Sequence, residues 1–274
     1  MQRALKLLVY TGLFCCCQLL SADAGEPSKS LDLDDLTWTE VRDRIAGGTT
    51  TILIPIGGTE QSGPAIALGK HNVRVRFLAE RIAAKLGNAL VAPVVAYVPE
   101  GSIDPPTGHM RFPGTITISD RAFRLLIEDA SRSFKHHGFK TIVLLGDHGG
   151  YQASEASVAR QLNAEWVNSH ARVFAATEYY RIAQTTYIDK LLEAGAKQSE
   201  IGTHAGLADT SLMLAIDPSM VRQDPLAKGS QMGAVDGVYG GEPTRSTAEF
   251  GQLGIDAIVD GTTDAIRAFV AKQK

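Results

Sequence analysis

Beyond residue 24 this chain has no cysteine. Its three cysteines, Cys15, Cys16 and Cys17, sit together near the start. The remaining chain therefore has neither disulfides nor thiolate ligands. Any metal must be held by His, Asp, Glu or water. A long apolar run is also missing: Leu7 to Leu20 is the one candidate, and it is short of the roughly 20 residues that span a bilayer comfortably. Excess positive charge is absent, since 27 basic residues face 30 acidic ones. That gives no broad basic surface and argues against a nucleic-acid partner. Gly57-Gly58 is followed by neither further spaced glycines nor Lys-Ser/Thr, which argues against a phosphate-binding loop. No repeat, low-complexity tract or linker divides the 274 residues, so one domain is expected.

The first 24 residues read as a secretory signal peptide. Arg3 and Lys6 precede the apolar run, and Ala22-Asp23-Ala24 has the small-x-small form of a cleavage site. The expectation is a periplasmic or secreted protein, with residues 25–274 as the folded domain and no stable membrane span after cleavage.

Two runs, Thr51 to Ile56 and Thr141 to Leu145, are apolar at nearly every position, as strands covered on both faces should be. Ala171–Ala176 is a further strand candidate, and Leu90–Val98 offers two short ones broken by Pro93. Between them lie helical spacings. Asp32 to Ile45 carries Leu33, Leu36, Val41 and Ile45, with Thr37 and Glu40 in a capping-box arrangement. Asn72–Leu86 ends at Gly87, and a helix opening at Ser119-Asp120 ends near Gly138. Gly150–Asn163, Thr185–Ala194, Asp209–Ile216 and Ile255–Ala271 complete the set, with Asp217–Ser246 expected to be irregular. Alternating strands and helices predict an α/β fold, a single domain with a mainly parallel sheet flanked by helices.

The polar clusters follow the strands. Thr51–Ile56 runs into Gly57-Gly58-Thr59-Glu60-Gln61-Ser62-Gly63-Pro64 and then Leu68-Gly69-Lys70-His71-Asn72; Thr141–Leu145 runs into Gly146-Asp147-His148-Gly149-Gly150. Loops after parallel strands gather at one sheet edge, where ligands bind. Glu60, His71, His148, His204 and Asp209 are therefore expected to converge. Carboxylates and imidazoles at one point suit a divalent metal and hydrolysis. The Gly- and Pro-rich loop Glu100 to Pro113 is long enough to be functional.

Four ordered motifs carry a resemblance to the creatininase (creatinine amidohydrolase) family. They are Pro55 to Pro64, Gly108-His109-Met110-Arg111-Phe112-Pro113-Gly114-Thr115, Gly146 to Gly150, and His204-Ala205-Gly206-Leu207-Ala208-Asp209-Thr210-Ser211, with a fitting turn at Gly237 to Pro243. The resemblance implies an α/β fold, metal-dependent hydrolysis of C–N bonds, often in cyclic amides, two adjacent zinc or manganese ions, and a homo-oligomer. Glu60 and His148 stand at ligand positions. Ser62 replaces a histidine ligand, His71 replaces a bridging aspartate, and Asp209 shortens a glutamate. A neutral imidazole binds one metal through one nitrogen and cannot bridge as a carboxylate does. One metal per chain is therefore expected rather than two, held by Glu60, His71 and His148 with Asp209 as a fourth ligand or an orienting group. Zinc leads, with manganese and iron also suited. His204, or Asp209, would pass a proton to the leaving nitrogen. Ser62, His109, Gly149 and Gly150 are placed on the substrate side, the glycines with N–H groups for an oxyanion. The expected activity is an exported metal-dependent amidohydrolase for a small-molecule substrate. Its alternatives are a lactonase of the same fold, and a binding protein that keeps the fold without catalysis.

Overall fold

The computed structural model describes residues 28–273; the signal-peptide expectation lies outside these residues. The helices are α1 (Trp38–Ala46), α2 (Lys70–Leu86), α3 (Asp120–His136), α4 (Gln152–Glu165), α5 (Thr177–Gln184), α6 (Thr186–Glu193), α7 (Gln198–Ile201), α8 (Leu207–Ile216), α9 (Gln223–Leu226) and α10 (Ala248–Ala271). The strands are β1 (Thr51–Ile56), β2 (Ala89–Val91), β3 (Thr141–Gly146), β4 (Arg172–Ala175), β5 (Gly202–His204) and β6 (Tyr239–Gly241).

Four strands form a parallel sheet in the order β2-β1-β3-β4. All six residues of β1 and of β3 are buried, because helices cover both faces. Alternate side chains separate the two layers. Leu53, Val143 and Leu145 point toward α2, α5, α6, α8 and α10, where they meet Leu78, Ile82, Tyr187, Leu212 and Ile258. Ile52, Ile54, Ile142 and Leu144 point the other way, to Phe123, Ile127, Val158 and Leu162 of α3 and α4. A third, smaller cluster of Ala65, Ile66, Met213, Val221 and Val238 ties the loop after β1 to the segment around β5 and β6.

Local signals set most boundaries. Thr37 and Glu40 form the expected capping box on α1. Ser119 caps α3 through the Ala122 N–H. Gly87 ends α2 at φ 79°, a left-handed conformation that costs glycine no Cβ clash. Several elements differ from expectation: α10 begins at Ala248 rather than Ile255, α9 and β6 lie in the stretch expected to be irregular, and Leu90–Val98 supplies one strand, β2, rather than two. The helix after β3 opens with a single 3-10 turn, Gly149–Tyr151, before α4. Helix α5, which sequence reading passed over, directly follows β4 with only Tyr179 and Ile182 buried, too few apolar positions to show a period. No helix of the described residues is long and apolar enough to cross a membrane.

The strand order places a switch point. From β1 the chain crosses to β2 on one side, then returns past β1 to β3 on the other. The crevice beyond the carboxyl ends of β1 and β3 is where ligands bind in such sheets.

Under this crevice lies an unusual carboxyl. Glu155, on α4, is fully buried, and neither oxygen has a hydrogen-bond partner among the described residues. It packs against Gly146, where an added Cβ would stand 2.4 Å from Oε1. Burial pushes its pKa well above the ordinary value of 4.5. A raised folded-state value means that the folded chain binds the extra proton. Its stabilising contribution is full below the unfolded pKa and is lost as pH rises. Glu155→Gln should therefore gain stability relative to wild type from about pH 4.5 upward, by about 1.4 kcal/mol per pH unit at most. Denaturant unfolding at a series of pH values checks this; a pH-independent difference would contradict it.

Candidate metal centre

The loop after β1 carries Glu60 into the crevice, fully buried. The loop needs glycine at Gly58, with φ 148°, because the Glu100 carboxylate lies 2.7 Å from where a Cβ would project. Asn72 holds the same loop by accepting the Gly58 N–H at 2.9 Å. After β3, the backbone N–H groups of Asp147 and His148 both donate to the Tyr151 hydroxyl, at 3.1 and 3.0 Å. That hydroxyl donates in turn toward the Ile56 and Gly57 carbonyls, so one buried tyrosine fixes the ends of β1 and β3 together.

Four side chains face one point. Glu60, Glu100, His109 and His148 each offer a ligand atom, and these atoms all lie within 4.8 Å of one another. Glu60 Oε2 is 3.2 Å from His109 Nε2 and 3.8 Å from His148 Nε2. Glu100 Oε2 is 3.7 Å from His148 Nδ1. Glu60 Oε2 and both Glu100 oxygens are buried without a hydrogen-bond partner among the described residues. Buried carboxylate oxygens are costly in that state; a bound cation would relieve Glu60 and a proton would relieve Glu100, so Glu60 with the two imidazoles fits a divalent metal.

The electrostatics agree. Burial, together with the neighbouring Glu60, pushes the Glu100 carboxyl up to about 9. Burial also favours the neutral Glu60, but His71 and Lys70 beside it win and hold its carboxyl below the usual range. Burial lowers His148 to about 4 and also lowers His109, so both imidazoles are neutral near pH 7, as a ligand must be.

Behind this group lies a second, closed layer. His71 uses both ring nitrogens on carboxylates: Nε2 is 2.6 Å from Glu60 Oε1 and Nδ1 is 2.5 Å from Asp147 Oδ2. Asp147 also accepts from the Tyr179 hydroxyl at 2.6 Å and from Arg74 Nε at 2.8 Å. Asp209 accepts from Lys70 Nζ and the Ala205 N–H, both at 2.9 Å, and from Arg74 Nη1 at 2.7 Å. Against the cost of burial, Lys70 and Arg74 hold its carboxyl well below the usual range. The Ala205 backbone is left-handed, at φ 56°, a strained conformation for a residue with a Cβ; its bond to Asp209 helps to hold it. His204 donates from Nε2 to the Gln61 carbonyl at 2.9 Å and turns Nδ1 toward Lys70 Nζ at 3.5 Å. Burial first, and Lys70 second, lower it to about 3.

The sequence reading and the geometry thus meet in part. All the residues expected at the site are in this region, but the expected set of Glu60, His71, His148 and Asp209 is not the one that shares a point. His71 and Asp209 are committed to the closed layer, and Glu100 and His109 take their places beside Glu60 and His148. His204 is neutral, with its N–H spent on a carbonyl. Ser62 is buried, with an unpartnered Oγ among the described residues. The Gly150 N–H points to His148 Nδ1 at 3.3 Å rather than standing free for an oxyanion. Gly149 lies against the Tyr180 hydroxyl. Lys70, Arg74 and Glu100 were not anticipated. One signal was available: Lys70 and Arg74 open α2, whose first turn has no acidic residue. Cations at a helix N-terminus oppose its dipole, so they call for carboxylates from elsewhere in the fold.

Comparisons with known proteins agree with this fold. The family described as creatinine amidohydrolase matches residues 34–266. The creatinine amidohydrolase of Pseudomonas putida is 27% identical over 260 residues, covering 88% of this chain and 97% of that protein. A mycofactocin precursor peptide peptidase of Mycolicibacterium smegmatis is 27% identical over 240 residues, covering 79% and 84%. A solved structure described as "Creatininase Mn" superposes with a TM-score of 0.70 at 24% identity, over 88% of this chain and 99% of that one.

The closed layer predicts a stability cost. Replacing Arg74 by Met keeps the stem but leaves Asp147 and Asp209 short of a buried partner. The expected loss is about 3–5 kcal/mol, read from denaturant unfolding. Arg42→Ala, which removes an exposed pair with Asp43, should leave the midpoint unmoved. An Arg74→Met variant as stable as wild type would contradict the pairing.

Proposed function

This chain belongs to the creatininase (creatinine amidohydrolase) family, and from that premise we propose that it is a metal-dependent amidohydrolase for the C–N bond of a small, cyclic amide. The observation that carries the reading is the convergence of Glu60, Glu100, His109 and His148, with three buried carboxylate oxygens aimed inward without partners among the described residues. Glu60, His109 and His148 would hold one divalent ion, zinc or manganese. Such an ion supplies a lowered water pKa and a polarised carbonyl.

The chain's own residues do the rest. His71 fixes the Glu60 carboxylate, and Asp147 fixes His71, the carboxylate–histidine support that orients ligands. Glu100, the fourth member, is the proton carrier. Burial beside Glu60 keeps its carboxyl protonated near pH 7, so it donates that proton to the leaving nitrogen and recovers one from the attacking water. Asp209 and His204, expected to relay that proton, instead position Lys70, Ala205 and Gln61. Glu60 and Glu100 are buried and only His109 and His148 are partly exposed, which favours a small substrate. The relatives' names span creatinine, a precursor peptide and an inosose, so membership supports hydrolysis more than the bond or the molecule. Export through residues 1–24, and assembly into a homo-oligomer, belong to the same reading.

Metal analysis beside a hydrolysis screen tests it. Glu60→Gln and His148→Ala should lose the metal and turnover together. Glu100→Gln should keep the metal while turnover falls by about 100-fold or more. A metal-free but active His148→Ala would sink the reading. A fully active Glu100→Gln would remove Glu100 from its role.

A further inference from the structure

The Glu60 carboxylate has two faces. Oε2 turns to His109 and His148. Oε1 turns to His71, to Lys70 Nζ at 3.7 Å and to His204 Nδ1 at 3.6 Å. Around Lys70 Nζ stand three atoms: Asp209 Oδ2 at 2.9 Å, His204 Nδ1 at 3.5 Å and Glu60 Oε1 at 3.7 Å. Two carboxylate oxygens and an imidazole nitrogen are the donors that a divalent ion takes. Here they surround an ammonium.

We propose that Lys70 is a built-in cation masking a second divalent-metal position, bounded by Glu60, Asp209 and His204. The inference rests on the reading that the first ion binds on the His109–His148 side of Glu60. Three observations support it. Lys70 is fully buried, so its ammonium has no route to water that avoids stranding a charge in the interior. The charges behind Glu60 already balance, with Lys70 and Arg74 facing Asp147 and Asp209; a divalent ion added there would leave two positive charges uncompensated. On the other face no lysine or arginine approaches Glu100 or Glu60 Oε2 within ion-pair distance among the described residues. Lys70 is the first residue of α2 and His71 the second, so one helix start supplies both the masking cation and the support of Glu60.

The plainer alternative makes Lys70–Asp209 a structural ion pair and nothing more. That alternative predicts that removing Lys70 lowers stability and leaves metal content alone. Masking predicts a gain of metal. The test loads the full-length protein with excess zinc, removes unbound ion, and counts metal per chain by elemental analysis. Wild type should hold about one equivalent, Lys70→Ala and Lys70→Ser about two, and Lys70→Arg about one. With manganese, wild type should give the electron-spin resonance spectrum of an isolated ion and Lys70→Ser that of a coupled pair. Two equivalents on wild type, or one on both small variants, would overturn the proposal. Metal on none of the four proteins would instead overturn the metal reading itself, and this inference with it.

Discussion

A buried carboxylate must be matched, and Glu60 is matched on one oxygen only. Oε1 is bound into a closed network through His71, and Oε2 has no hydrogen bond among the described residues. The network behind it runs from His71 to Asp147, on to Arg74, then to Asp209 and Lys70. Taking these charges from water costs several kcal/mol per ion and is offset only when the partners are in place. Each member is therefore held by the others. The network stores little net stability, but it orients Glu60 with no freedom to turn. Functional groups need such support to act at a defined distance.

The fold delivers this arrangement through the strand order. Because β2 and β3 lie on opposite sides of β1, the loops after β1 and β3 diverge over one crevice, and Glu60 and Asp147 enter it from adjacent strands. The helix covering that end, α2, adds Lys70, His71 and Arg74 from its first turn and a half. The Tyr151 hydroxyl locks the two strand ends. Helix α8 brings Asp209 across. No element contributes the site alone, so the site forms only once the sheet and both helix layers have docked.

Much of the fold was legible in the chain. Continuous apolar runs gave β1 and β3, Thr37 and Ser119 gave helix starts, and Gly87 gave a stop. These are local signals, read where neighbouring residues decide conformation. The site was legible as a region and less so as a set of contacts. Glu60 and His148 fell where strand ends place them. His71 and Asp209 had the right chemistry for ligands, yet each is claimed by partners far along the chain: Asp147 lies 76 residues from His71, and Lys70 lies 139 from Asp209. Glu100 gave no signal beyond opening a long loop. Which of several carboxylates is paired and which is left open depends on three-dimensional neighbours, and no spacing in one sequence encodes that.

The most direct measurement is the anomalous scattering of crystals soaked in zinc, with Lys70 intact. The expected result is a single strong peak beside Glu60 Oε2, between His109 and His148, with Lys70 Nζ still on Asp209. A peak between Glu60 Oε1 and Asp209, with the lysine displaced, would contradict it.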